Sequence, residues 1–246
     1  MSALSIALVF LAIGAGSLVK GITGMGLPVI ALPLLTYFLG LPHAIGILML
    51  PIFVTNLIQA VQMRAAWPEV RFLWPLLAAT VPGLAVGTWL LVVLSPQLLM
   101  LGLAALLFVF IGLRILSPRA TIAHRTAGRA APWVGVVTGF VQGSTGLCAA
   151  VFVPFLHSIG LDRRALVLMI SLVFVVLAVV QLGAFVIADL FEPVYLLEGL
   201  VALIPVAIFM PLGNRLGQRA SREVFDRVFL AVLALIGVAL VHGALR

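Results

Sequence analysis

Residues 165–188, ALVLMISLVFVVLAVVQLGAFVIA, run for 24 residues without one charged side chain. About 20 apolar residues of helix are enough to cross a bilayer core. A helix that is greasy on every face belongs inside a membrane or a large core. The chain repeats such runs, approximately at 3–19, 27–39, 43–62, 72–94 and 97–116. After a polar, basic stretch at 117–132 they resume at 133–141, 147–158, 165–188, 194–212 and 225–244. Only 9% of the 246 residues are charged, against about a quarter in a soluble domain. So few charges cannot coat a water-facing surface. The runs are continuous rather than alternating in segments of about ten, which argues against a transmembrane β-barrel. The fold class is therefore an all-α polytopic membrane protein. The N-terminal MSALSIALVFLAIGAGS has no basic start, and its apolar stretch continues past any cleavage point, so it reads as part of the mature chain.

The formal charge is +7. Arginines gather in short segments between the apolar runs: Arg64 and Arg71, then Arg114, Arg119, Arg125 and Arg129, then Arg163 and Arg164, and last Arg215, Arg219 and Arg222. That placement reads as membrane topology and not as a nucleic-acid surface. The segments near 40–43 and at Ser95-Pro96 carry no Lys or Arg, and the one at Asp189 and Glu192 is acidic. With the arginine segments in the cytoplasm, residues 133–158 enter and leave on one side. This piece is too short for two full crossings at about 1.5 Å per residue. It reads as a re-entrant hairpin turning at QGSTG, residues 142–146. KGITGMG, residues 20–26, aligns with it in the first half; LGLPHAIGILML (39–50) aligns with IGLDRRALVLMI (159–170), and Gly83-x-x-x-Gly87 with Gly213-x-x-x-Gly217. The expected organisation is two inverted repeats, 1–116 and 133–246, joined by a cytoplasmic basic linker at 117–132. Each repeat is a broken or re-entrant helical hairpin plus three transmembrane helices. Both termini lie outside, in the cell inner membrane. Whether the hairpins are re-entrant or fully spanning is left open.

A helix broken at membrane depth exposes backbone N–H and C=O groups that lipid cannot satisfy, so breaks occur where protein or a watery cavity surrounds them. Helix N-termini favour anions. The expected substrate site is therefore built from Lys20, Gly21, Thr23, Gly24 and Gly26 at the first break, and Gln142, Gly143, Ser144, Thr145 and Gly146 at the second. Lys20, the only lysine of the chain, supplies charge, and the hydroxyls and amides supply hydrogen bonds. Against this, glycine and serine also let membrane helices pack closely, and a lysine near an interface only snorkels to water. Asn56 and Gln59 share one helix face; they line a polar path or make an interhelical hydrogen bond. Gly83-x-x-x-Gly87 reads as a packing face. His43, His124, His157 and His242 have no partner at useful spacing and read as interfacial. The single cysteine, Cys148, excludes an internal disulfide, and no metal or cofactor motif is present. A serine hydrolase at Ser144 would need a positioned base, and none lies mid-span, so no enzyme activity is expected.

The stretches GSLVKGITGMGLPVIALPLL and GVVTGFVQGSTGLCAAVFVPFL, with VPGLAVGTWL and LGNRLGQRAS after them, resemble the TauE/SafE sulfite exporter family over essentially the whole chain. The resemblance implies a secondary transporter, generally an exporter, of small organosulfur anions such as sulfite, sulfoacetate or related sulfonates. It would act by alternating access around a midplane site between the two broken helices. Transport of small carboxylates, or an anion channel of the same architecture, is the alternative. The partners expected are the anion and the lipid bilayer, with no nucleic acid. Coupling to H+ or Na+ and assembly as a homo-oligomer both remain compatible with the sequence.

Overall fold

A computed structural model describes residues 3–23, 27–116, 121–217 and 222–245, with side chains described for 9–22, 27–112, 116, 121–217 and 230–245. Among the described residues every regular element is helical, as a lipid environment requires of a chain that must satisfy its own backbone. The order is α1 (Ala3–Thr23), α2 (Leu27–Leu39), α3 (Leu41–Met63), a short α4 (Trp67–Val70) flanked by single turns of 3-10 helix, α5 (Trp74–Val93), α6 (Pro96–Leu116), α7 (His124–Thr145), α8 (Ala149–Ser158), α9 (Arg163–Ile187), α10 (Val194–Gly217) and α11 (Arg222–Ala244).

Local chemistry sets the ends. Gly40, with φ +83°, separates α2 from α3, and Gly146, with φ +72°, ends α7 through a bond from its N–H to the Gln142 carbonyl. These are left-handed positions that a side chain would strain. Asp162 caps α9, its carboxylate accepting from the Ala165 N–H at 2.7 Å. Among the described residues the helical stretches Leu41–Val93, Arg163–Ile187 and Val194–Gly217 are long and apolar enough to cross a membrane. Large apolar side chains also face outward: Ile187 is 90% exposed and Trp133 76%. This is the surface of a membrane-embedded protein, where lipid covers what water could not.

The helices fall into two compact units. The first comprises Met1–Pro51, Ser95–Ile115 and Glu192–Arg246; the second comprises Ile52–Leu94 and Leu116–Phe191. In the first, α1 runs along α10, while α2 folds back on α1 and also meets α11. In the second, α5 runs along α7, α9 packs on α5, and α8 lies against α7 and α9. The Phe152 ring of α8 meets the Phe174 ring of α9 edge-on at 5.5 Å. Each unit thus draws on both halves of the sequence.

Glycine makes the two main contacts possible. A Cβ on Gly83 or Gly87 of α5 would run into the carbonyl oxygens of Val136 and Phe140 on α7. Across the same contact, a Cβ on Gly139 would lie 2.8 Å from the Leu84 nitrogen. On α10, a Cβ on Gly213 would run into the Leu18 carbonyl and lie 3.0 Å from the Gly21 Cα of α1; a Cβ on Gly217 would lie 3.0 Å from the Ile22 Cα. The Gly-x-x-x-Gly pairs aligned from sequence therefore do the same packing work, one in each unit.

One boundary differs from expectation. Helix α7 begins at His124, inside the stretch read as a polar linker, and not near residue 133. Its first turns are amphipathic: Ala127 and Ala131 are buried and Arg125 and Arg129 exposed. Apolar run length could not register such a pattern. The second hairpin therefore has unequal arms, of 22 and 10 residues, or about 33 and 15 Å at the α-helical rise. The first hairpin has arms of 21 and 13 residues.

Candidate functional site: the two broken helices

In the second unit the break lies between α7 and α8. Helices α5 and α7 run parallel: Gly135 meets Leu76, Gly139 meets Thr80, and a Cβ on Gly143 would lie 2.6 Å from the Thr88 nitrogen. The break at Gly146 therefore falls beside the last turns of α5, which ends at Val93. Gln142, Gly143, Ser144, Thr145 and Gly146 are all buried. Gly143 serves the contact with α5, and Gly146 terminates the helix. The Ser144 hydroxyl donates to the Phe140 carbonyl at 2.9 Å, and the Thr145 hydroxyl donates to the Val141 carbonyl at 2.7 Å. Thr145 Oγ1 also accepts from the Leu147 N–H at 3.3 Å. The two hydroxyls expected to face an anion thus spend their protons on their own helix, a common habit of Ser and Thr in helices. Ser144 has no described hydrogen bond to a histidine or an acid.

Helix α8 begins directly after the break. Its N-cap residue, Cys148, makes no side-chain cap. The first N–H groups of any α-helix have no partner within the helix; here they belong to Cys148, Ala149 and Ala150, while the Val151 N–H turns back to the Cys148 carbonyl at 2.9 Å. All three residues are buried. Such an end presents donors and the positive end of the helix dipole. Close by in sequence, the side-chain oxygens of Thr138 and Gln142 on α7 are buried with no hydrogen-bond partner among the described residues, and so is that of Gln181 on α9. The other end of the Gln181 amide donates to Thr88 Oγ1 on α5 at 3.3 Å. Buried groups of this kind are costly unless something satisfies them. Thr88, Thr138 and Gln181 were not among the expected site residues. Their signal was there to read, since Thr138 precedes Gln142 by one helical turn and shares its face.

Asn56 and Gln59 belong to this unit too. Asn56 is buried and donates to its own helix at the Ile52 carbonyl, 2.7 Å away. Gln59 accepts from Ser171 of α9 at 3.5 Å, a long interhelical hydrogen bond. Neither side chain has a described contact with the α7–α8 break.

In the first unit α1 runs parallel to α10. Lys20 is 3% exposed, so it does not reach water as a snorkelling lysine does. Its neighbour Gly21 packs against Met210, Gly213 and Asn214 of α10, which sets Lys20 within the last turns of that helix. Helix α2 starts beside Gly16, since a Cβ there would lie 2.6 Å from the Leu27 carbonyl oxygen and 3.1 Å from the Ala31 Cβ. Lys20 is thus one helical turn, about 6 Å, farther along α1 than the start of α2. Gly24 and Gly26 lie outside the described residues, and so does the side chain of Thr23.

The histidines are not all isolated. His43 Nε2 lies 2.6 Å from Glu198 Oε2, joining α3 to α10, where the sequence reading had found no partner for it. Sequence spacing cannot reveal a partner 155 residues away.

The chain is thus a polytopic helical protein with a buried lysine near the end of α1 and a buried start of α8. The family model described as sulfite exporter TauE/SafE matches residues 8–240. The chain belongs to the TauE/SafE sulfite exporter family. The TauE/SafE match covers both breaks and all the helices between them, so the fold and the candidate site fall within the family's common part. No curated protein and no solved structure matches the chain. TauE/SafE proteins are sulfite-type membrane exporters, which agrees with helix ends that attract anions.

Proposed function

We propose that this chain is a secondary transporter that exports small organosulfur anions, such as sulfite, sulfoacetate or related sulfonates. It exposes a broken-helix anion site alternately to the two faces of the membrane. The observation that carries the reading is the start of α8, a buried helix N-terminus whose N-cap residue, Cys148, makes no side-chain cap. Its N–H groups hydrogen-bond an oxyanion without committing a full charge, and binding of that strength is reversible. The Gln142 amide adds a neutral contact on the α7 side. In the first unit, the buried Lys20 supplies the attraction through its ammonium in the protonated form.

The positive-inside rule supports inverted repeats over 1–116 and 133–246, with both termini outside the cell inner membrane and the 117–132 segment cytoplasmic. The equivalent glycine contacts of α5 with α7 and of α1 with α10 support the repeat. The test is uptake of labelled sulfite by proteoliposomes. Saturable uptake that sulfoacetate and isethionate compete with is the expected result. Competition by small carboxylates alone would move the substrate class. Unitary currents in planar bilayers would replace the carrier with a channel.

A further inference from the structure

Glu198 sits four residues into α10, in a stretch apolar and long enough to span a membrane. An ionisable group in such a place is costly and calls for a partner. Its partner is His43, near the start of α3, with Nε2 2.6 Å from Oε2. The contact is built with care. The Tyr195 ring lies on the His43 ring with centroids 4.9 Å apart. Gly46, one turn after His43, makes room for Tyr195, since a Cβ there would fall 2.7 Å from Cγ of that ring. A Cβ on Gly199, next to Glu198, would lie 3.1 Å from the Leu50 Cβ. His43, Gly46 and Leu50 form one stripe of α3, and Tyr195, Glu198 and Gly199 form one stripe of α10. The carboxylate is 8% exposed and the imidazole 28%, so the histidine is the more accessible partner of the two.

We propose that His43 and Glu198 form a proton-binding pair that couples proton movement to transport. The inference rests on the transporter reading above. Histidine is the side chain whose charge ordinarily changes near neutral pH. With the ring doubly protonated the pair is an imidazolium and a carboxylate, net neutral. Loss of the Nδ1 proton to water leaves the Nε2–H···Oε2 bond in place and a net charge of −1. Parting α3 from α10 at this contact strands a buried carboxylate unless the Nε2 proton of the doubly protonated ring moves onto it, leaving a neutral Nδ1–H imidazole and a neutral acid. Separation and protonation are thereby linked. The other titratable groups around the pair are Tyr195 itself and Glu192, whose Oε1 lies 3.4 Å from the Tyr195 hydroxyl. On the neighbouring helices at this end of the unit stand Tyr37 of α2 and His242 of α11; a Cβ on the adjacent Gly243 would lie 3.3 Å from the Tyr37 ring. Among the described residues, no lysine or arginine forms an ion pair with Glu198.

The experiment uses the full-length protein in proteoliposomes and measures labelled sulfite in two modes. One mode is accumulation driven by a pH gradient; the other is exchange at equilibrium with no gradient. Sulfite titrates in the same pH range, and the ratio of variant to wild type at each pH removes that contribution. Glu198→Gln is expected to lower gradient-driven accumulation about tenfold or more, within the usual range of coupling between two sites, while exchange persists. His43→Gln is expected to flatten the pH profile in the same way, and it carries the test if Glu198→Gln does not insert. If both variants keep the wild-type response to the gradient, or if a well-folded variant loses exchange and accumulation together, the pair is a structural tie and the proposal fails. A wild type that exchanges sulfite but ignores the gradient overturns the coupling alone. A wild type that moves no sulfite overturns the transporter reading as well.

Discussion

The two broken hairpins are built alike and equipped differently. In both, a long first arm lies against a partner helix through glycine, Gly21 with Gly213 in one unit and Gly143 with Gly87 in the other. In both, a shorter second arm returns. Yet α1 carries a buried lysine in its last turn, while the last turn of α7 carries no charge. Helix α2 opens with Leu27-Pro28, and a proline has no N–H to offer; α8 opens with Cys148, Ala149 and Ala150, each with one. Among the described residues, a lysine stands at one break and an uninterrupted run of N–H groups opens the helix at the other. Glycine at a break is thus no evidence of a ligand, because it does the same packing work in both. What differs between the breaks is where function is to be sought.

The largest effect tests the shared part. Gly139→Val drives a side chain into the Thr80 carbonyl, and such overpacking costs about 3 kcal/mol or more. We expect a marked loss of thermal stability in detergent. Gly183→Val, where a Cβ meets nothing within 4 Å, serves as the control and should leave it unchanged. Next comes the charged break. Lys20→Met should weaken sulfite binding by about 1.5–3 kcal/mol, the worth of a charged hydrogen bond, without lowering stability; titration calorimetry reads the first and thermal unfolding the second. An unchanged affinity would make Lys20 a packing residue and remove the contrast. At the neutral break, Gln142→Leu should cost about 1 kcal/mol of binding. Ser144→Ala should change it by less than about twofold, because its own helix already holds that hydroxyl. If Ser144→Ala proves more damaging than Lys20→Met, the assignment of charge to one break and backbone to the other is reversed.

Much of the fold was legible because lipid simplifies the rules. A run such as 165–188 has no reading other than a buried helix, and α9 covers it from Arg163 to Ile187. The break at Gly146 was legible too, since a glycine between polar residues inside an apolar run marks a terminus. The start of α7 was hidden because the alanine face of 124–131 is too short and too weakly apolar to stand out beside its arginines. At the site, the residue types at both breaks could be named, and Lys20 stood out by its charge. The roles of the hydroxyls could not, because whether Ser144 bonds outward or to Phe140 is decided by a rotamer and not by the sequence. The His43–Glu198 pair was invisible for a different reason: it depends on which helices meet, and no periodicity encodes that.

The pairing of α1 with α10 has a bearing on how the protein is made. Helix α1 ends at Thr23 and its packing partner begins at Val194, 171 residues later. A ribosome adding about 5–20 residues per second takes roughly 9–34 s to cover that distance. Throughout that interval the Gly21 face of α1 has no α10 to lie against, and Lys20 must be tolerated by lipid, by the translocation machinery or by a chaperone. Helix α1 is therefore made long before the helix it runs along. A stalled or truncated chain would therefore expose a charged, glycine-lined helix in the bilayer, the kind of segment that membrane quality control removes.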